Sequence, residues 1–352
     1  MYRNTFVEVY LNNLEYNVKS LINKYNNYKY FFGVVKADCY GHNDISTIKT
    51  IINAGCNYLA VATLDEALFI REQIKDIPIL CLGIIDVKYI QICIEKNITI
   101  TISSLDYLKS LNIKDNNLKV HIKINTGMNR LGVNNKDEFN QIYNFLKINN
   151  YLLEGIYTHI YNPSSASDTI NQYKEFEKIT SDINLKEIPI IHVGASEATE
   201  LYPKRNYANG CRLGISMYGL IDCKDIKFKS TFSLYSEVIQ INEVYQGAVG
   251  YNGAYKVGEN EKIAIVPIGY ADGIIRKNTG RDVYINNNAY KIVGNICMDM
   301  LFVKIDDSVK VGDKVSVIRD IDHLKQIAKH LDTITYEILC SISKRVPRIY
   351  IK

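Results

Sequence analysis

The chain has 352 residues, of which 47% are hydrophobic and 23% are charged, and its formal net charge at pH 7 is +4. This length exceeds one average domain core, so the sequence predicts one large barrel or two domains. Because positive and negative residues are interspersed, the charge indicates neither a nucleic-acid-binding nor a membrane-binding surface.

The start of the chain and its cysteines indicate a cytoplasmic protein. Residues 1–10 lack the apolar core of a signal peptide, and the sequence has no apolar run long enough to span a bilayer. The eight cysteines stand singly, without Cys-x-x-Cys pairs. This pattern favours reduced thiols over disulfides or a zinc site, so we expect no metal centre.

Eight short apolar runs alternate with amphipathic stretches from residue 30 to about residue 216. The runs are 30–35, 57–62, 77–82, 98–102, 118–124, 152–158, 188–193 and 210–215. The stretches between them, such as 65–72 and 139–146, place apolar residues at helical spacing. The alternation predicts an α/β fold, a TIM-type (β/α)8 barrel, with a doubly wound open sheet as the competing topology.

After about residue 228 the sequence changes to short strand-like runs with frequent Gly and Asn. The runs are 263–268, 282–285, 289–293, 301–305 and 314–318, and no long helical pattern intervenes until about residue 320. We therefore predict a barrel over 1–228 and a mostly β domain over 229–352. A strand at residues 5–11 could pack with either domain.

Residues able to do chemistry stand where the predicted barrel strands end. Lys36 ends the first run, and a desolvated lysine there could form a Schiff base with an aldehyde, although a solvated strand cap is the alternative. The others are Lys123 and Arg130 after strand 5, His159 after strand 6, Ser196 after strand 7, and Arg212, Gly214 and Ile215 on or after strand 8. Each has a structural explanation by itself, but their joint placement favours a site, with phosphate bound after strands 7 and 8.

These residues lie in motifs that resemble a known family. The segment Val34-Val35-Lys36-Ala37-Asp38-Cys39-Tyr40-Gly41-His42 resembles the pyridoxal-phosphate (PLP) lysine motif of alanine racemases. Further matches follow in the family's order at residues 60–67, 123–132, 212–220, 249–252, 267–273 and 296–299. Several of these strings are specific on their own, and together they run through nearly the whole chain.

The resemblance implies a PLP-dependent isomerase that interconverts L- and D-alanine for peptidoglycan and works as a homodimer with shared active sites. Lys36 would hold PLP and serve as one base, and Tyr251 would be the second base, reaching the partner's cofactor. The implied cofactor-binding residues are Tyr40, His159, Ser196, Arg212, Gly214 and Ile215. The implied substrate-binding residues are Arg130, Tyr270 and Met298, and Arg130 would also approach the phenolic oxygen of the cofactor. Lys123 is the candidate for carbamylation.

Some positions depart from the family pattern and leave alternatives open. Asn125, Asn129 and Ala195 stand where the family often has Asp, Gly and Asn, and Lys344 stands where many members have a phosphate-contacting tyrosine. Because residues 249–252 also resemble vancomycin-resistance serine racemases, a serine or broad-specificity racemase is the alternative. Two other classes of PLP protein fit the sequence less well. A PLP homeostasis protein would be a barrel without a second domain, and a related PLP decarboxylase would carry a glycine-rich phosphate loop in its barrel.

Overall fold

The computed structural model describes residues 2–111, 117–149 and 151–352. Its strands are β1 Phe6–Tyr10, β2 Tyr30–Val34, β3 Tyr58–Val61, β4 Ile79–Cys81, β5 Ile98–Ile102, β6 Lys119–Lys123, β7 Leu152–Tyr157, β8 Ile190–Ala195, β9 Gly210–Leu213, β10 Phe232–Glu237, β11 Gln240–Val244, β12 Gly247–Val249, β13 Tyr255–Val257, β14 Glu261–Val266, β15 Asp282–Ile285, β16 Asn288–Val293, β17 Leu301–Ile305, β18 Lys314–Ile318 and β19 Arg348–Ile351.

The helical segments are α1 Leu11–Lys24, α2 Lys36–Tyr40, α3 Ile45–Asn53, α4 Leu64–Gln73, α5 Ile90–Glu95, α6 Leu105–Ser110, α7 Lys136–Ile148, α8 Ala166–Ile179, α9 Ser196–Leu201, α10 Ile321–Leu331 and α11 Thr335–Ser341. Short 3-10 helices span Val87–Tyr89, Leu185–Glu187, Tyr251–Gly253, Tyr270–Asp272 and Arg276–Asn278. No helix in the described ranges has the length and apolar character needed to cross a bilayer.

Strands β2 to β9 form a closed parallel barrel in chain order. The barrel closes because β9 returns to pair with β2, with Arg212 opposite Phe32. Strands β3, β4 and β5 are buried along their whole length, since side chains fill one face and helices cover the other. The predicted (β/α)8 barrel is confirmed, and the open-sheet alternative is wrong because an open sheet would not pair β2 with β9.

Polar side chains fix where several barrel helices begin. The Thr63 hydroxyl accepts a hydrogen bond from the Glu66 N–H at the start of α4, and the Glu66 side chain accepts one from the Thr63 N–H. Asn135 and Ser165 cap α7 and α8 in the same way, each accepting from the N–H three residues on. These caps set the lengths of the loops that follow the strands.

The second unit is built around one nine-stranded sheet in the order β11, β14, β17, β16, β15, β18, β10, β1, β19. Strands β15, β17 and β18 have the predicted bounds, and the first helix after them, α10, begins at Ile321 next to its Asp320 cap. The mostly β character of this part of the chain is therefore confirmed.

Two segments from the first part of the sequence belong to the unit that contains Phe228–Lys352. They are the residues up to Leu14 and the stretch Tyr40–Ser46, whereas Glu15–Cys39 and Thr47–Lys227 form the barrel unit. Strand β1 joins the sheet because it pairs antiparallel with β10 and parallel with β19. The second segment is held by hydrogen bonds from Arg348 Nε to the Gly41 carbonyl oxygen (3.2 Å) and between His42 Nε2 and Thr231 Oγ1 (2.8 Å).

Candidate active site

Eight of the predicted site residues belong to the barrel unit and lie on or just after the C-terminal ends of its strands. Lys36 follows β2, Lys123 ends β6, Arg130 lies in the loop after β6, His159 follows β7, Ser196 follows β8, Arg212 lies on β9, and Gly214 and Ile215 follow β9. The fold thus brings residues separated by up to 179 positions in the sequence (Lys36 to Ile215) to one end of the barrel. This is the end at which (β/α)8 proteins bind their ligands.

Lys36 begins a turn whose backbone is left-handed. Ala37, Asp38 and Cys39 have φ of 51°, 50° and 54°, a conformation that costs roughly 1–2 kcal/mol for each non-glycine residue. The turn is anchored where the Glu66 carboxylate accepts a hydrogen bond of 2.7 Å from the Ala37 N–H. The half-buried Lys36 is therefore fixed at the barrel rim by a strained and anchored backbone.

The Lys123 amine lies among other cations. Its side chain is 6% exposed, and its pKa falls to about 8 because burial and the charges of Arg130, Arg212 and Lys36 all disfavour the protonated form. Burial and the same cations lower the pKa of His159 to about 3, so this ring is neutral at pH 7. Such a concentration of positive charge suits a ligand that carries phosphate and carboxylate groups.

Arg212 is buried, and neutral acceptors hold its guanidinium. Nη1 donates to Nδ1 and to the carbonyl oxygen of His192 (2.8 and 2.7 Å), and Nη2 donates to the Thr158 carbonyl oxygen (2.7 Å) and to Nδ1 of His159 (3.3 Å). Burial lowers the pKa of Arg212 to about 10, so it remains a cation at neutral pH. Both terminal nitrogens are thus committed to the barrel wall.

Hydroxyl and amide groups collect around Ser196, where β8 and β9 end. Its Oγ accepts from the N–H of Gly214 (3.1 Å) and lies 3.4 Å from the N–H and 3.1 Å from the Oγ of Ser216. Ser196 is 8% exposed and has a positive φ of 23°. Donors of this kind after the last two strands of a barrel are suited to phosphate oxygens.

The remaining predicted site residues belong to the other unit. Tyr251, Tyr270 and Met298 are 68%, 42% and 53% exposed. Hydrogen bonds link the segments that carry them: Asn295 Nδ2 donates to the Tyr251 carbonyl oxygen (2.9 Å), and the Tyr270 N–H donates to the Cys297 carbonyl oxygen (3.1 Å). Three segments distant in sequence therefore form one cluster with large exposed side chains.

Tyr40 and Lys344 also lie in that unit, in different surroundings. Tyr40 is buried, its ring meets Tyr336 edge-on at 6.4 Å between centroids, and burial raises the pKa of its hydroxyl. Lys344 is exposed.

The two asparagines that depart from the family pattern shape the loop that carries Arg130. Asn125 Oδ1 accepts from the N–H of Gly127 (3.2 Å) and of Asn129 (2.9 Å), and its Nδ2 donates to Asn134 (2.8 Å). Asn129 has a φ of 57°, a left-handed conformation that Asn adopts more readily than most residues other than Gly. Asn125 and Asn129 together therefore define the conformation of the loop that carries Arg130.

Comparison with known proteins decides the family. The sequence matches the family described as "Alanine racemase, N-terminal domain" over residues 9–222 and "Alanine racemase, C-terminal domain" over residues 231–350. The chain belongs to the alanine racemase family. Among its relatives are alanine racemase of Anoxybacillus flavithermus, 36% identical over 100% of this chain and 96% of the relative, and alanine racemase 1 of Bacillus subtilis, 34% identical over 100% and 94%.

Solved structures of alanine racemases superpose on the whole chain. The enzyme from Bacillus anthracis with bound L-Ala-P has a TM-score of 0.93 at 32% identity, covering 100% of this chain and 96% of that chain. The E. faecalis enzyme also has a TM-score of 0.93, at 31% identity and 99% and 98% coverage. A histidine racemase from Leuconostoc mesenteroides shares the fold, with a TM-score of 0.89 at 23% identity over 100% of this chain and 99% of that chain.

Sequence reasoning missed a set of polar residues inside this alanine racemase barrel. They are His121 on β6, Glu154 and Tyr157 on β7, and His192 on β8. Both histidines are 0% exposed. Their signal in the sequence is a polar residue within an apolar strand run, as in Val120-His121-Ile122 and Ile191-His192-Val193.

Proposed function

We propose that the protein is a PLP-dependent racemase that interconverts L- and D-alanine. The observation that carries the proposal is the convergence of Lys36, Lys123, Arg130 and Arg212 at one end of the barrel, in a chain that matches the alanine racemase family through both units. An amine in a strongly cationic site fits a cofactor that carries both an aldehyde and a phosphate.

The barrel residues fit PLP. Lys36 would hold the cofactor through its amine. The Ser196 hydroxyl and the amides of Gly214 and Ile215 would bind the phosphate, and the N–H groups collected around the Ser196 oxygen support this assignment. The family resemblance adds Tyr40 to the phosphate contacts. When bound, PLP supplies an electron sink that makes the Cα proton of an attached amino acid removable.

Arg212 would face the ring nitrogen of the cofactor. A cation at that position, in place of a carboxylate, disfavours protonation of the nitrogen. Its two terminal nitrogens already donate to His192, Thr158 and His159, so the guanidinium would arrive at this contact with a fixed orientation.

Lys36 and Tyr251 would act on opposite faces of the substrate. Racemisation removes the Cα proton from one face and returns a proton to the other, so it needs two acid/base groups. A tyrosine with a pKa of roughly 10 needs positive charge or hydrogen-bond donors to act as a base near pH 7. Because Arg212 donates to Nδ1 of His159, the ring proton of His159 lies on Nε2, where it can donate to the Tyr251 oxygen.

A homodimer would bring Tyr251 of one subunit to the cofactor of the other, with Tyr270 and Met298 beside the substrate. The exposure of these three side chains in a single chain supports this arrangement, since large side chains left exposed together mark contact surfaces. Arg130 would approach the cofactor's phenolic oxygen from within the barrel.

Lys123 would be carbamylated and would steady Arg130. The lone pair of the neutral amine attacks the carbon of CO2 and forms an N–C bond, the electron pair of one C=O π bond moves to oxygen, and the nitrogen releases one proton to water. The product is a carbamate anion, which exchanges a repelling cation beside Arg130 for an attracting anion. The lowered pKa of Lys123 supports this step, because only the neutral amine reacts.

Incubation with PLP and L-alanine, followed by chiral chromatography, tests the proposal. We expect equal amounts of the two enantiomers at equilibrium, and no D-alanine from the Lys36→Ala variant. Borohydride reduction of the PLP-loaded protein should attach the cofactor permanently to Lys36. Recovery of the label on Lys123, or a PLP-loaded protein that makes no D-alanine, would overturn the assignment.

A further inference from the structure

A chain of hydrogen bonds crosses the barrel interior from Arg212 to Glu154. Arg212 Nη1 lies 2.8 Å from Nδ1 of His192, Nε2 of His192 lies 2.9 Å from Nδ1 of His121, and Nε2 of His121 lies 3.2 Å from Oε2 of Glu154. Both histidines are 0% exposed and Arg212 is 3% exposed. Water therefore cannot replace the partners of these three side chains, and each depends on the next.

The chemistry of its two ends fixes every proton in this chain. A guanidinium only donates, so Nδ1 of His192 accepts and the ring proton of His192 lies on Nε2. That N–H donates to Nδ1 of His121, which places the proton of His121 on Nε2 as well. The second N–H then donates to Glu154, whose carboxylate only accepts. Both rings are neutral, and all three bonds point from the cation to the anion.

Packing holds the two rings in place. His192 lies between Phe32 and Tyr157, with ring centroids 4.4 and 4.6 Å away and interplanar angles of 23° and 9°. The space for the ring of His121 exists because residue 155 is glycine, where a Cβ would lie 2.6 Å from Cε1 of His121. Neither ring can turn over without displacing its neighbours.

Glu154 supplies the negative end of the chain. Its Oε2 also lies 2.6 Å from the Tyr58 hydroxyl and 3.1 Å from the Thr99 hydroxyl. Burial alone would raise the pKa of this carboxyl, but its interactions with His121 and the Tyr58 hydroxyl outweigh burial and hold the pKa below its usual range. Glu154 also lines a cavity of about 490 Å³ together with Lys119, so its carboxylate is partly solvated.

No carboxylate in the described ranges pairs directly with Arg212, so its charge is balanced at a distance. Hydrogen bonds between ionised and neutral groups are stronger than those between neutral groups, and a chain of such bonds polarises each member. The neutral histidines thereby link the buried cation to the carboxylate of Glu154.

We propose that His192, His121 and Glu154 are positioning residues for Arg212. Together they form a relay, a chain of hydrogen bonds that are all donated in the direction from Arg212 to Glu154, and this relay holds the guanidinium in a single orientation. The relay's contribution to catalysis rests on the proposed function, in which Arg212 faces the ring nitrogen of the cofactor. The relay itself, with its fixed ring protons, is a property of the barrel and is tested separately.

Solid-state 15N NMR of the PLP-loaded protein, labelled at its six histidines, tests the relay. His121→Phe and His192→Phe identify the two signals. We expect both rings to be neutral and protonated at Nε2 from pH 6 to pH 8, and Glu154→Gln to preserve this state because its amide oxygen still accepts. A cationic ring, or a proton on Nδ1 of either ring in the unsubstituted protein, would overturn the inference.

A kinetic cycle tests what the relay does. Glu154→Gln should lower kcat about tenfold with little change in KM, an effect of the size that follows when a partner that orients a metal-binding histidine is removed. In the His121→Phe background, where the relay is already interrupted, the same substitution should cause no further loss of kcat. If His121→Phe does not fold, His121→Asn provides the background instead. Glu187→Gln is the matched control, since Glu187 lines the same cavity but pairs with Lys147 (3.7 Å), and it should leave kcat unchanged.

Equal losses in both backgrounds, or no loss in either, would refute the relay's role in positioning Arg212. If the unsubstituted protein racemises no amino acid, the proposed function fails, whereas the NMR signals still decide whether the relay exists.

Discussion

Lys123 shows how one residue's surroundings change its chemistry. An ordinary lysine with a pKa of roughly 10.4 is almost fully protonated at pH 8, whereas a pKa of about 8 leaves about half of the Lys123 amines neutral. At pH 6 only about one amine in a hundred is neutral. The reactivity of this side chain toward CO2 should therefore rise with pH across the neutral range.

We predict a carbamate on Lys123 that follows this pH dependence. At a fixed partial pressure of 13C-labelled CO2, the protein should show a 13C carbamate signal at pH 8 that is much weaker at pH 6. Lys119, on the same strand but at its other end, provides the control: Lys119→Ala should keep the signal and Lys123→Ala should lose it. A signal that survives Lys123→Ala would assign the carbamate to another amine, and no signal would exclude it.

Lys344 bears on the choice between alanine and serine. We predict that alanine is the better substrate by a modest factor in kcat/KM, because a pocket that merely fails to exclude a hydroxyl discriminates by about 1–3 kcal/mol. Lys344→Tyr should widen the gap, and Lys310→Tyr, at another exposed lysine of the same unit, should not. A preference for serine of more than about tenfold, or roughly 1.4 kcal/mol, would instead indicate a serine racemase.

At the level of elements, the left-handed turn after β2 stores strain where the proposed cofactor lysine lies. Ala37 has φ and ψ of 51° and 55°, is exposed, and is followed by three more non-glycine residues with positive φ. Glycine adopts this conformation without the clash of a Cβ. Alanine at position 37 therefore carries backbone strain that glycine would avoid.

We predict that Ala37→Gly stabilises the protein by up to about 1.6 kcal/mol. Relief of roughly 1–2 kcal/mol of left-handed strain exceeds the roughly 0.4–1 kcal/mol that glycine adds to the entropy of the unfolded chain. Chemical denaturation would measure the difference. Ala166→Gly, at the exposed start of α8, is the control and should destabilise, so a change of the same sign in both variants would contradict the explanation.

The elements that sequence predicts well are those whose signal is local. The eight barrel strands follow from continuous apolar runs, and β15, β17 and β18 follow from short runs between Gly, Asn and Asp residues. The strand ends in turn place Lys36, His159 and Arg212 at one edge. For this reason the fold and the barrel part of the candidate site could be predicted before the structure.

The elements that sequence predicts poorly depend on distant partners. Strand β1 could have joined either unit, because its place is decided by hydrogen bonds to β10 and β19. The relay from Arg212 to Glu154 was equally hidden, since an isolated histidine in a strand is most often a satisfied core residue. Only the closed barrel shows that His121 and His192 meet.

At the scale of the whole molecule, the proposed bases belong to different units of the chain. Lys36 lies in the barrel unit, and Tyr251 lies in the unit with the nine-stranded sheet. If each active site is built from the barrel unit of one subunit and the sheet unit of the other, it needs an intact Lys36 from the first subunit and an intact Tyr251 from the second.

We predict that two inactive variants restore activity when their subunits mix. An equal mixture of Lys36→Ala and Tyr251→Phe should recover about a quarter of the unsubstituted activity, since half of the dimers are mixed and each has one intact site. Each variant treated alone is the control and should stay inactive. No recovery despite demonstrated subunit exchange would show that each site lies within one chain.

The pairing of β1 with β19 has a consequence for how the protein is made. Val7 lies opposite Arg348, so two neighbouring strands of the finished sheet are synthesised 341 residues apart. Val7 and Val9 are fully buried in the folded protein, yet β1 must wait with both of its edges unpaired while the barrel strands behind it are translated. Exposed edges of this kind recruit other strands. A nascent chain therefore carries an apolar strand without a sheet partner until β10, which begins 222 positions after Tyr10, has been translated, and until then β1 is free to pair with strands of other chains.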